Sequence, residues 1–106
     1  MTPEGRVKDQ VKKVLKANNI WYFMPAANGY GKVGVPDFIC CWKGRFLAIE
    51  TKAPGKRDAI KANQKMQIME IQKSEGWALV VDDVEQLNEF INHVKEDPWL
   101  SQLLKN

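Results

Sequence analysis

Two short stretches of the chain place acids and an amine where they can act together: Gly34-Val35-Pro36-Asp37 and Ala48-Ile49-Glu50-Thr51-Lys52. Phe38 to Trp42 and Arg45 to Lys52 have the β-branched and aromatic character of strands, and Lys43-Gly44 fits a two-residue hairpin turn between them. In that register Trp42 faces Arg45, Cys40 faces Leu47, and Asp37 falls opposite Glu50. A three-residue turn would instead set Asp37 opposite Thr51. Directly opposed residues have Cβ atoms about 4.5–5.5 Å apart, a distance at which like charges repel. Lys52, two residues beyond Glu50, shares its face. Three arrangements relieve the repulsion: one acid is protonated, Lys52 neutralises the pair, or a divalent cation binds between them. Mg²⁺ takes oxygen ligands and commonly one or two carboxylates with several waters, a demand that Asp37, Glu50 and the backbone carbonyl of Thr51 meet. An ion held there would activate water and clamp phosphate oxygens, while Lys52 orients that water or offsets developing charge. Pro-Asp is also a common turn dipeptide, and Glu-x-Lys arises by chance in many proteins. Their combination at paired strand ends carries the reading.

The elements that must position these residues are legible from pattern. Thr2-Pro3-Glu4 is a helix start, with Thr as cap, Pro at the first position and an acid at the positive end of the dipole. Val7, Val11, Val14 and Leu15 follow at helical spacing, and Asn18-Asn19 close the helix. Ile20 to Met24 is a short strand. Asp58 is expected to cap a helix running to Ser74, with Ile60, Gln64, Ile68 and Ile71 on one face and Gly76 as its stop. Trp77 to Val81 is an apolar strand covered on both faces. Asp83 and Gln86 form a capping-box-like start for a helix through Lys95, with Val84, Leu87, Ile91 and Val94 as its stripe. Asp97-Pro98 opens a short terminal helix whose Trp99, Leu100, Leu103 and Leu104 are expected to pack on the domain or a second subunit. The order α-β-β-β-α-β-α-α points to an α/β fold, a mixed sheet with helices on both faces.

At 106 residues, 44% hydrophobic and 27% charged, the chain is one globular domain. No apolar run is long enough to span a bilayer and no signal-peptide core is visible, so a soluble, cytoplasmic protein with no membrane partner is expected. Cys40 and Cys41 are adjacent, which disfavours a bridge between them, and with His93 alone they are too few for zinc. Both cysteines are expected to be buried apolar residues, and His93 a surface residue. The net charge of +3 permits a polyanion. Lys8, Lys12, Lys13 and Lys16 crowd the first helix and Lys52, Lys56, Arg57, Lys61 and Lys65 the middle, whereas acids gather from Asp82 onward. This is either a binding face or a solvated lysine-rich surface. The segment from Asn28 to Gly34 lacks nucleotide-binding patterns; Lys32 can meet a phosphate and Tyr30 a base, or the segment is a plain connection. Trp21, Trp42 and Trp77 are expected in the core, as is the stripe Met66, Ile68, Met69 and Ile71.

Pro-Asp, a hairpin and Glu-x-Lys together resemble the PD-(D/E)xK nuclease superfamily. More narrowly, the chain resembles its VRR-NUC family, particularly stand-alone phage and bacterial members. The matching pieces are Glu4, Gly34-Val35-Pro36-Asp37, Glu50-Thr51-Lys52-Ala53-Pro54-Gly55, Gln64 and the strand from Gly76 to Asp82. The resemblance covers residues 4 to about 95. It implies a restriction-endonuclease-like αβββαβ core over residues 1–96, with 97–106 as an appended helix. It also implies Mg²⁺- or Mn²⁺-dependent cleavage of DNA in a bacterial or phage-infected cell. Asp37 and Glu50 would be metal ligands, Lys52 the catalytic lysine, Glu4 an outer or second-metal carboxylate, and Gln64 a site-lining residue. From the residues alone, Glu4 is equally a dipole-stabilising acid, and Gln64 equally a core hydrogen-bonding group. Stand-alone members resemble Holliday junction resolvases, so branched DNA and a homodimer are expected, with Lys32, Tyr30, Lys56 and Arg57 as nucleic-acid contacts. Two competing expectations are a DNA-binding module without catalysis, in a repair or recombination assembly, and an RNA-cleaving nuclease.

Overall fold

The structure is a computed structural model and describes residues 1–26 and 33–99. Its first helix, α1 (Pro3–Ala17), starts where Thr2 accepts a hydrogen bond from the Gly5 amide at 2.9 Å. Val7, Val11 and Leu15, spaced four apart, form its buried stripe. Asn19 turns the chain with a positive φ of 56°, and the Ile20 amide closes back on the Leu15 carbonyl at 2.9 Å.

Four strands follow: β1 (Trp21–Phe23), β2 (Phe38–Trp42), β3 (Arg45–Thr51) and β4 (Trp77–Val81), in that order across one sheet. β1, β2 and β3 are antiparallel neighbours, and β4 runs parallel to β3. Trp42 pairs with Arg45 and Cys40 with Leu47, as the two-residue turn requires. Lys43 and Gly44 both have positive φ, 53° and 80°, the backbone that suits the twist of a tight hairpin. α2 (Ala62–Lys73) links β3 to β4, and α3 (Val84–Glu96) follows β4.

The helices cover opposite faces. α1 and α3 close the main core, with Val11, Leu15, Phe38, Leu47, Ile49, Val81, Leu87 and Ile91 at its centre. On the other face, Ile68 of α2 packs on Ala48 and Ala78, flanked by Ile39, Ile60, Ile71 and Val80. β4 thus carries a helix on each side, which explains its unbroken apolar sequence. No helix among the described residues is long and apolar enough to cross a membrane.

Several expectations need correcting. Asp58 caps no α-helix: Arg57–Ala59 is one 3₁₀ turn, and Ile60 is extended (φ −62°, ψ 132°) so that its side chain reaches the second core before α2 begins. Glu75, not Gly76, takes the left-handed conformation ending α2, with φ of 69°. A Cβ on Gly76 would come 2.9 Å from Ile71 Cγ2, so glycine is there for close packing. Asp83 caps α3 through the Glu85 amide, but Gln86 reaches back to the amide of Asp82 rather than that of Asp83. Four residues expected in the core are exposed, Trp21 and Cys41 beyond the apolar cluster that α2 covers and Met66 and Met69 on the outer side of α2 itself. Trp21 is 60% exposed, Cys41 is exposed while Cys40 is buried, and Met66 and Met69 point outward. Trp42 and Trp77 do lie together, rings 5.8 Å apart. His93 is exposed. Trp99 is 70% exposed, and Leu100, Leu103 and Leu104 lie outside the described residues.

Candidate active site

The ladder between β2 and β3 ends at the pair Phe38–Ile49, so one step further sets the backbone of Asp37 across from Glu50. The amides of β3 alternate sides: Lys52 donates to the Val81 carbonyl on β4 at 2.9 Å, whereas Thr51 donates away from β4. Asp37 Oδ2 takes that second role, accepting from the Thr51 amide at 2.9 Å and from Thr51 Oγ1 at 2.7 Å. One carboxylate oxygen therefore continues the sheet where the backbone pairing has stopped. Its other oxygen, Oδ1, faces Lys8 Nζ of α1 at 4.0 Å.

Glu50 and Lys52 alternate onto the α2 face and lie almost out of solvent, their side chains 4% and 11% exposed. Burying charges is costly unless each finds a partner. Gln64, in the first turn of α2, is that partner for both: its Nε2 donates to Glu50 Oε2 at 3.0 Å, and its Oε1 accepts from Lys52 Nζ at 2.9 Å. The same Oε1 accepts from the Lys61 amide at 3.0 Å, so the side chain that bridges acid and amine also caps its own helix. Lys52 Nζ lies 3.6 Å from Glu50 Oε2, an ionic contact.

The backbone of Gly34 lies close against this turn. A Cβ there would sit 2.6 Å from the Asn63 carbonyl group and 2.8 Å from the Gln64 amide, and its φ is +80°. On the other side of β3, Ala53 to Gly55 folds back, and the Gly55 amide donates to Asp82 Oδ2 at 2.9 Å.

Glu50 Oε1 is buried with no hydrogen-bond partner. Burial, reinforced by the nearby charge of Asp37 and only partly offset by Lys52, pushes this carboxyl up to about 7. The Lys8 pKa is raised as well, which in an amine favours the charged form. Burial works against its charge, but a hydrogen bond to Glu4 and the fields of Asp37, Glu4 and Glu50 outweigh that and hold its pKa above the usual value. An unpartnered carboxylate oxygen beside a second carboxylate is a donor set suited to a hard divalent cation. Among the described residues no three His, Cys, Asp or Glu side chains converge closely enough to hold an ion by themselves. Asp37 and Glu50 would therefore bind one with the help of water and backbone oxygen, such as the Thr51 carbonyl.

The structure thus gathers Asp37, Glu50, Thr51, Lys52 and Gln64 at one strand end, and brings Glu4 to them indirectly through Lys8, 2.9 Å from Glu4 Oε2. Lys56 and Arg57 are exposed, at and just after the turn that follows β3. Tyr30 and Lys32 lie outside the described residues. Sequence reasoning passed over Lys8 as one of several helix lysines; its spacing of four from Glu4 was the available signal.

Searches with the sequence found no matching family model and no matching curated protein. Comparison of the structure with solved ones is informative: it superimposes on a chain described as a VRR_NUC domain with a TM-score of 0.74. The match covers 88% of this chain and 98% of that one, at 22% identity. The chain has the VRR_NUC fold. The resemblance carried by Pro36-Asp37 and Glu50-Thr51-Lys52 is borne out at the level of the whole architecture, mixed sheet and flanking helices included.

Proposed function

We propose that the protein is a nuclease of the VRR_NUC type that hydrolyses phosphodiester bonds in DNA with Mg²⁺ or Mn²⁺. The observation that carries this reading is the buried Glu50–Gln64–Lys52 network, with Glu50 Oε1 unpartnered and Asp37 beside it, on a fold shared with a VRR_NUC domain. A buried acid and amine tied together by one glutamine add little to stability compared with apolar packing, so chemistry is the better reason to keep them.

Asp37 and Glu50, with the Thr51 carbonyl, would hold the ion, and Glu4 would act from outside them. The chemistry an ion supplies there is activation of water and neutralisation of phosphate charge. Lys52 is held by Gln64 with its ammonium at the same strand end, where it donates to the attacking water or to a phosphate oxygen as charge develops. Gln64 fixes the distance between acid and amine. Exposed Lys56 and Arg57, with Lys32, would contact phosphates of the nucleic acid, and Tyr30 would stack on a base. A domain this small has few groups for reading bases, which favours recognition of DNA shape, as in branched junctions. A homodimer would match the two-fold character of such a substrate.

The test is cleavage of junction, flap, duplex and single-stranded DNA and of RNA, with Mg²⁺, Mn²⁺ or EDTA. Metal-dependent cutting of DNA, strongest on branched forms and lost in Asp37→Ala and Lys52→Ala, is expected. Binding without cutting on every substrate overturns the enzymatic reading, and cutting of RNA alone overturns the choice of DNA. Sedimentation with and without a junction measures the dimer.

A further inference from the structure

Two ion pairs on α1 have the same spacing but different surroundings. Lys13 meets Asp9 at 3.5 Å with side chains 78% and 43% exposed, an ordinary surface pair. Lys8 meets Glu4 at 2.9 Å, is only 30% exposed, and also reaches across to Asp37 Oδ1 at 4.0 Å on the strand side of the site. Asp37 Oδ2 is already engaged by Thr51, so Oδ1 is the oxygen through which Asp37 meets other groups. The Lys8 ammonium therefore stands between Glu4 and Asp37 and feels the charge of Glu50, one of whose oxygens lacks a partner.

We propose that Lys8 is a resident counter-ion of the site: its ammonium neutralises Glu4 and Asp37 in the metal-free protein, and a divalent cation binding at Asp37 and Glu50 does so against its charge. Lys8 thereby stabilises the empty site and lowers its affinity for metal. This rests on Asp37 and Glu50 being the metal ligands. It differs from a preorganising role, in which Lys8 would hold the acids in place and help the ion bind; the two roles give opposite signs when the charge is removed. A single positive charge within several ångströms of a divalent ion at a partly exposed site changes affinity by about tenfold.

The experiment is calorimetric titration of the full chain with Mn²⁺ at low ionic strength, for the wild type, Lys8→Met, Lys8→Gln, Lys8→Arg and Lys13→Met, with melting temperatures measured in EDTA. Lys8→Met and Lys8→Gln are expected to bind Mn²⁺ about tenfold more tightly and to melt below the wild type in EDTA, with the deficit shrinking as Mn²⁺ is added. Lys8→Arg and Lys13→Met should keep wild-type affinity. Unchanged or weaker binding in both neutral Lys8 variants, beside a wild type that binds, overturns the counter-ion role and leaves the metal ligands standing. A wild type that takes up no Mn²⁺ overturns the metal reading, and the counter-ion with it.

Discussion

The parallel strands β3 and β4 end side by side, and each ends in a polar cluster built on a helical glutamine. At the end of β4, Gln86 accepts from the Asp82 amide at 3.0 Å and donates to Asp82 Oδ1, while Asp82 Oδ2 takes the Gly55 amide. Both carboxylate oxygens are engaged, and the result is a structural clip between a turn and a helix start. At the end of β3, Gln64 joins Glu50 to Lys52, yet Glu50 Oε1 is left buried and bare, and the carboxyl has risen to about 7. Similar residue types therefore do opposite things. One cluster is complete within the protein, and the other leaves a buried carboxylate oxygen without a partner.

The largest expected difference is in activity. Lys52→Ala should reduce DNA cleavage by on the order of 10²–10³-fold, and Asp37→Ala by at least as much, in single-turnover assays. Asp82→Ala should leave cleavage within a few-fold of wild type. Comparable losses from Asp82→Ala and Lys52→Ala would erase the distinction between the two clusters.

Next is the dependence of stability on pH without metal. Glu50 has a folded pKa of about 7 against an ordinary value of 4.5, so the fold favours its protonated form. The native state binds more protons than the unfolded chain between these values, and stability falls as pH rises through that window. The loss approaches about 3 kcal/mol above pH 7. Denaturant melts in EDTA should show this decline in the wild type and a flatter profile in Glu50→Gln. Mn²⁺ should restore much of the loss at high pH. An equally steep decline in Glu50→Gln would assign the proton to another group.

Much of this is legible in the sequence, for identifiable reasons. Periodicity and turn chemistry locate each strand among the described residues, and the Lys43-Gly44 turn alone determines the register that sets Asp37 across from Glu50. The failures share a cause: they depend on which part of the sheet a helix covers. Trp21 and Cys41 have core-like composition, but the apolar cluster under α2 is built from Ala48, Ala78, Ile39 and Val80, and both residues are exposed beyond it. Nothing local to Trp21 encodes that. The role of Lys8 was equally hidden, because it depends on how α1 sits against the end of β2. Gln64 is legible on the right helix face, yet its pair of hydrogen bonds, donated to Glu50 and accepted from Lys52, follows from Ile60 delaying the start of α2, which makes Gln64 a first-turn residue able to cap the helix as well.

The smallest effect is expected where the two clusters are closest in kind, at their glutamines. Gln86→Ala removes a cap at a helix start and should cost about 1 kcal/mol, since the Asp82 amide lies at the edge of solvent and water can replace the side chain. Gln64→Ala should cost more, about 1–3 kcal/mol in EDTA, because it leaves a buried ammonium and a buried carboxylate without their shared partner. Added Mn²⁺ should narrow the Gln64→Ala deficit, as an ion takes over the neutralisation of Glu50, and should leave the Gln86→Ala deficit where it was. Parallel responses of the two variants to metal would mean that the β3 cluster is as self-contained as its neighbour.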